Sequence, residues 1–175
     1  MSDNAYKRLM TPKLALALHQ VYLSLYEARK ACSDEITDND LTRVLTSLMA
    51  SRPWSWMVVG ITPAALEIFA QNDFHRPARQ LQRGHLVDRV QTTRTLFRRE
   101  QPATRDEFYG IWMRNDRTVL MLNNENNHGR KIPDYIPIQN EGALLFPSGS
   151  LIGWQHRKAE RDFLRQLHES RAQTR

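Results

Sequence analysis

The chain has 175 residues, 41% of them hydrophobic, and a formal charge of +6, the size and composition of one folded domain rather than a disordered chain. Its single cysteine, Cys32, excludes an intrachain disulfide and the cysteine-rich zinc frameworks. No apolar run approaches the roughly 20 residues that span a bilayer, and the Met1-Ser2-Asp3-Asn4 start lacks the basic-then-apolar order of a signal peptide; the expectation is a cytoplasmic protein with no membrane partner.

Thr11-Pro12 joins a capping hydroxyl to a proline at the first helical position. Leu14, Leu18, Val21, Leu25 and Ala28 follow on one face, which predicts a helix over about 12–31. After Asp38, Leu41, Val44, Leu45, Leu48 and Met49 recur at helical spacing. Together these predict an N-terminal helical hairpin within residues 1–52. The stretch 54–61 (WSWMVVGI) reads as a strand, and Thr62-Pro63 opens a short helix through Phe69. Gly84 predicts a turn at or near His85. Thr104 and Glu107 form a capping box for a helix carrying Phe108, Ile111 and Trp112, which stops at Asn115-Asp116. Residues 118–122 (TVLML) are a second strand, running into the asparagine-rich 123–127. Prolines and glycines make 132–150 a loop or irregular hairpin. A charged helix over about 155–170, with Phe163, Leu164 and Leu167 as its apolar face, closes the chain. His19, Tyr22, Tyr26 and the four tryptophans read as packing residues, with Trp154 at the core edge beside basic residues. The fold class expected is α+β: a predominantly helical single domain with a small β element, an α+β core over 53–153 and a C-terminal basic helix in 154–175.

The charge is concentrated. Between His75 and Arg99 lie seven arginines, Arg76, Arg79, Arg83, Arg89, Arg94, Arg98 and Arg99, against one acid, Asp88. That segment carries a net +6, the whole excess of the chain. Guanidinium groups grip phosphate as a bidentate fork, so the expected partner is a polyanion, nucleic acid.

One constellation carries chemistry. Gln82-Arg83-Gly84-His85 is followed, after the 118–122 strand, by Asn123-Asn124-Glu125-Asn126-Asn127 and by Lys131. Over Gln82 to Lys131 the chain resembles the ββα-metal nucleases, the group of the HNH and the non-specific DNA/RNA endonucleases. In the non-specific members a strand ends in Asp-Arg-Gly-His, and a later strand leads into a helix that carries an Asn. The resemblance implies a ββα-metal core with His85 as general base and Asn126 as the ligand of Mg²⁺ or Mn²⁺. Asn123, Asn124 and Asn127 compete for the ligand role, and Asp88, Glu125 or Asp116 would add a carboxylate. It implies a phosphate clamp at Arg83 or Arg89, with Lys131 and the other arginines binding the nucleic acid. Gln82 stands where the family has its Asp, so the group that would orient the His or hold metal is missing there.

These residue types suit phosphodiester hydrolysis: a neutral imidazole takes a proton near neutral pH, and cations neutralise phosphate charge. The function expected is a metal-dependent endonuclease acting on DNA first and RNA second. The alternative is a non-enzymatic nucleic-acid-binding regulatory or accessory protein that uses the same arginines without His85. A third reading is an adaptor whose basic surface meets an acidic protein. One metal ion serves both His85 and an asparagine only if they lie within about 10 Å, since ligand bonds are about 2 Å.

Overall fold

The structure, a computed structural model, describes residues 10–50, 52–77, 79–126, 132–140, 143–149 and 153–173. The two N-terminal helices start where side chains satisfy free backbone donors. Thr11 accepts from the Leu14 N–H at the head of α1 (Pro12–Ala31), and Thr37 and Asp40 cap α2 (Asp38–Met49) reciprocally. Then come β1 (Met57–Ile61) and α3 (Pro63–Gln71), the latter capped by Thr62. The arginine-rich segment holds β2 (Leu81–His85) and α4 (Arg89–Phe97). The Thr104–Glu107 box opens α5 (Arg105–Asn115), which feeds β3 (Arg117–Leu122). A short β4 (Ile136–Pro137) and α6 (Lys158–Ala172) complete the chain.

The fold is α+β: six helices and a four-stranded mixed sheet among the described residues, in the order β2-β3-β1-β4. β1 and β3 are parallel; β2 runs antiparallel to β3, and β4 antiparallel to β1. Helices cover both faces. On one, Leu18, Tyr22, Leu41, Leu45, Leu96, Phe108 and Trp112 of α1, α2, α4 and α5 pack with Met57. On the other, Leu66 and Phe69 of α3 and Leu164 of α6 pack on Val58, Ile61 and Leu120. No described helix is long and apolar enough to cross a membrane.

The aromatic residues of α1 pin the first layer. Tyr22 is fully buried, donates to Leu96 O (3.0 Å), accepts from Ala103 N (2.8 Å) and stacks on Phe108 at 4.8 Å. Tyr26 donates to Arg99 O and His19 bonds Ala103 O. These bonds tie α1 to the end of α4 at Leu96 and to the loop between α4 and α5 at Arg99 and Ala103, and each buried polar tip has a partner, as it must to avoid a desolvation cost. α2 meets α4 through the Thr42–Thr93 hydroxyl pair and through Asp38, which takes Arg94 (2.9 Å) and Arg98 (2.6 Å).

Two local expectations change. The first strand begins at Met57, not Trp54, because Trp56 takes a left-handed backbone (φ 59°) and its N–H is tied to the Asp116 carboxylate. Gly84 lies inside β2, not in a turn; the chain bends only at 86–87. Its missing side chain has a packing reason: a Cβ there would stand 2.7 Å from Met121 Sδ. The other helices and β3 start within a few residues of the positions read from sequence, whereas β2 and α4 fall in the arginine-rich segment where no helix or strand was read from its own pattern.

Candidate functional site

The topology brings three chain segments to one end of the sheet. Because β2 is antiparallel to β3, its last residue, His85, pairs with Thr118 near the start of β3. Because β1 is parallel to β3, Trp56, just before β1, lies beside Asp116, just before β3; the Met57 N–H donates to Asp116 O. His85, Asp116 and Trp56, distant in sequence, become neighbours.

Asp116 is the hub. It is buried, its Oδ2 accepts from the Ser55 hydroxyl and the Trp56 N–H, and its Oδ1 lies 3.0 Å from His85 Nε2. A carboxylate can only accept, so the bonding assigns the imidazole proton to Nε2 and leaves Nδ1 with its lone pair. Nδ1 has no hydrogen bond among the described residues. Burial holds the imidazole below its ordinary value; Asp116 opposes this, and Arg89 and Arg83 add to the lowering. The ring is therefore neutral at neutral pH, oriented by a buried acceptor and edge-on to Trp56 at 4.5 Å.

In front of the ring opens a cleft of about 520 Å³, lined among others by Trp56, Arg76, Arg83, Arg89, Asn126 and Trp154. Behind it, between α2, α4 and α5, the void is only about 10 Å³, room for at most a water. Only the cleft side has room beside His85 for anything larger than a water.

The arginines of the cleft are laid on tryptophans, a geometry that combines cation–π attraction with fixed orientation. Arg76 lies 3.8 Å from the Trp154 ring centre and Arg89 3.9 Å from that of Trp56. Arg76 donates through Nη1 to Trp154 O, and Arg89 through Nη1 to Thr46 Oγ1. Neither has a carboxylate partner among the described residues, and burial lowers the pKa of both without discharging them. Arg83 is different. It is 6% exposed and its guanidinium donates to Trp56 O, Ser148 Oγ and Gly153 O. Alternation along β2 puts Arg83 and His85 on one face, so Arg83 braces the wall against which Trp56 and His85 pack.

The remaining sequence-identified arginines lie elsewhere. Arg94 and Arg98 share the Asp38 carboxylate, and Arg99 pairs with Glu107 (3.0 Å). Arg79 is exposed with a positive φ, and its carbonyl accepts from Asn123 Nδ2. Lys131 and Asn127 lie outside the described residues. The basic segment is not one continuous stripe; it is a cleft pair, Arg76 and Arg89, a structural Arg83, and ion pairs on another face.

The asparagines separate as well. Asn123 to Glu125 form a turn, not the first turn of a helix. Asn123 lies five residues along β3 from the partner of His85, about 16 Å at the usual strand rise, and its amide is engaged with Arg79. Asn126 does line the cleft. Its Oδ1, however, sits 3.6 Å from where a Gly84 Cβ would point, and that direction is opposite to His85; the two approach β2 from opposite faces. Glu125 uses its Oε2 on Thr62 and Leu122 N–H, and Asp116 has both oxygens engaged. Asp88, exposed at the head of α4, is the remaining carboxylate of the cleft. Among the described residues no three His, Cys, Asp or Glu side chains gather as a metal site. One exposed carboxylate and one amide, facing Arg76, Arg83 and Arg89, do not fit a Mg²⁺ or Mn²⁺ centre, because the local field repels a cation.

Sequence reading undervalued Asp116, seen first as a helix stop, and the tryptophans, seen as core. Ser55 left no signal, and Ser148 showed only as part of a Pro147-Ser148-Gly149 turn, not as the acceptor for Arg83 that it is. Comparison with protein-family models, with curated proteins and with solved structures gave no match.

Proposed function

We propose that this protein binds nucleic acid in the Trp56–Trp154 cleft and cleaves its phosphodiester backbone with His85 as general base. The observation that carries the reading is the coincidence of two features in one cleft. An oriented, neutral imidazole with a free lone pair, held by Asp116, stands beside two oriented arginines that make no direct ion pair with a carboxylate among the described residues, Asp116 acting on Arg89 only at longer range. Of the other arginines of the segment, Arg94 and Arg98 share one carboxylate, Asp38, and Arg99 pairs with Glu107. A phosphate would take the open guanidinium edges of Arg76 and Arg89, and its developing negative charge would be stabilised by groups already in place. No metal enters this reading.

The test combines binding and turnover. Labelled single-stranded RNA and DNA are titrated with protein over a range of salt, and the same mixtures are followed for cleavage with wild type and His85→Ala. Binding that weakens steeply with salt, with cleavage lost in the variant, supports the proposal. Binding equal in both proteins with no cleavage in either leaves the non-enzymatic binding protein as the function. Absence of salt-sensitive binding removes both.

A further inference from the structure

The cleft has a base and cations but a donor set unsuited to a divalent ion, and this bears on which nucleic acid it attacks. We infer that its substrate is RNA, cleaved without metal by the RNA's own 2′-hydroxyl; the inference rests on the nucleic-acid reading above. Hydrolysis of a DNA diester needs an external water to be held in line and activated. In this cleft the described groups left for that are His85 and the exposed Asp88, because Asp116 has both oxygens occupied by His85, Ser55 and Trp56, and Asn126, a neutral amide, approaches from the other face of β2. RNA brings its nucleophile with it. A tethered hydroxyl of correct geometry has an effective molarity of roughly 10⁵–10⁸ M, which replaces the positioning a metal would otherwise supply.

The step balances with the groups present. His85 Nδ1 takes the 2′-hydroxyl proton as the O2′–P bond forms. The P–O5′ bond breaks, its electron pair leaves on O5′, and O5′ takes a proton from solvent in the open cleft. The imidazolium returns its proton to solvent. The products are a 2′,3′-cyclic phosphate and a 5′-hydroxyl. Arg76 and Arg89 face the extra charge on the nonbridging oxygens. Trp56 and Trp154 hold those guanidiniums in place. Asp116 keeps the proton on Nε2, so that the other nitrogen is the base.

The experiment uses the full chain, with EDTA present, and three single-stranded oligonucleotides of one mixed sequence: RNA, 2′-O-methyl RNA and DNA. All three are first shown to bind by fluorescence anisotropy. The expected result is cleavage of the RNA alone, with cyclic phosphate termini by mass spectrometry. The rate should fall at least ~10²-fold in His85→Ala, the usual scale for losing a general base. Arg89→Lys, which keeps the charge but not the fork, guards against a variant that fails to fold. It should cut the RNA rate while retaining the wild-type melting profile. Cleavage of the DNA or the 2′-O-methyl strand, a requirement for Mg²⁺, or 5′-phosphate products would overturn the inference and leave a nuclease of another mechanism. Binding of all three without cleavage would overturn it and leave a binding protein. Failure to bind any of them would sink the nucleic-acid reading itself.

Discussion

Asp116 Oδ1 lies 3.0 Å from His85 Nε2, and its other oxygen accepts from Ser55 and from the Trp56 N–H. One carboxylate therefore both orients the imidazole and holds the left-handed turn that opens the cleft. Substitution separates these roles. Asp116→Ala strands three donors, the Ser55 hydroxyl, the Trp56 N–H and His85 Nε2–H, and is expected to cost about 3 kcal/mol of stability by urea denaturation. Asp116→Asn keeps the shape but can donate an N–H towards Nε2, which favours the wrong tautomer; cleavage should fall much further than stability does.

Acid sensitivity follows from the buried rings. His85 and His156 both have their pKa values lowered from 6.5, chiefly by burial. Above that value the rings are neutral in folded and unfolded chains alike and add no pH dependence. As pH falls below it, the unfolded rings take protons first, so stability declines until the folded rings titrate. Melts between about pH 7.5 and about pH 5 should show this loss, and His156→Gln should show less of it. The carboxylates with lowered values, Asp38 and Glu160 among them, lose their contribution only in more acid solution. Cleavage should keep its acid limb below the ordinary imidazole range, because the base stays unprotonated there.

The arginines should divide in a binding assay as they divide in space. Arg76→Ala or Arg89→Ala should weaken nucleic-acid binding and reduce the log K against log salt slope by about 1 for each phosphate that is no longer neutralised. Arg94→Ala and Arg98→Ala should leave the slope unchanged. They should lower stability slightly, since they remove only partly exposed ion pairs with Asp38.

Tyr22 tests the first helical layer independently of function. Tyr22→Phe removes a hydroxyl that bridges Leu96 O and Ala103 N and leaves the Ala103 N–H without its partner. The expected cost is about 1–3 kcal/mol, with wild-type secondary structure by circular dichroism.

Elements whose signal is local were legible in the sequence. Thr11-Pro12, Thr62-Pro63 and Thr104 with Glu107 marked helix starts that the structure places at Pro12, Pro63 and Arg105. The apolar run before Asn123 marked β3. The strand Leu81–His85 gave no such signal: its pattern is polar, and it is a strand because β3 pairs with it. The site was half legible for the same reason. The cleft arginines stood out by composition, and His85 by the Arg83-Gly84-His85 resemblance. The orienting Asp116 is 31 residues away along the chain, joined only by the antiparallel pairing of β2 and β3. Which arginines are ion-paired was hidden too, because Asp38 and Glu107, their partners, lie in other helices.

The most direct test of the account is single-turnover cleavage of an RNA strand, with protein in excess so that binding is saturated, comparing wild type with His85→Ala. The account predicts that the two proteins bind the strand alike while the variant cleaves it at least ~10²-fold more slowly. Equal cleavage by both, or saturated binding by wild type with no cleavage, would contradict it.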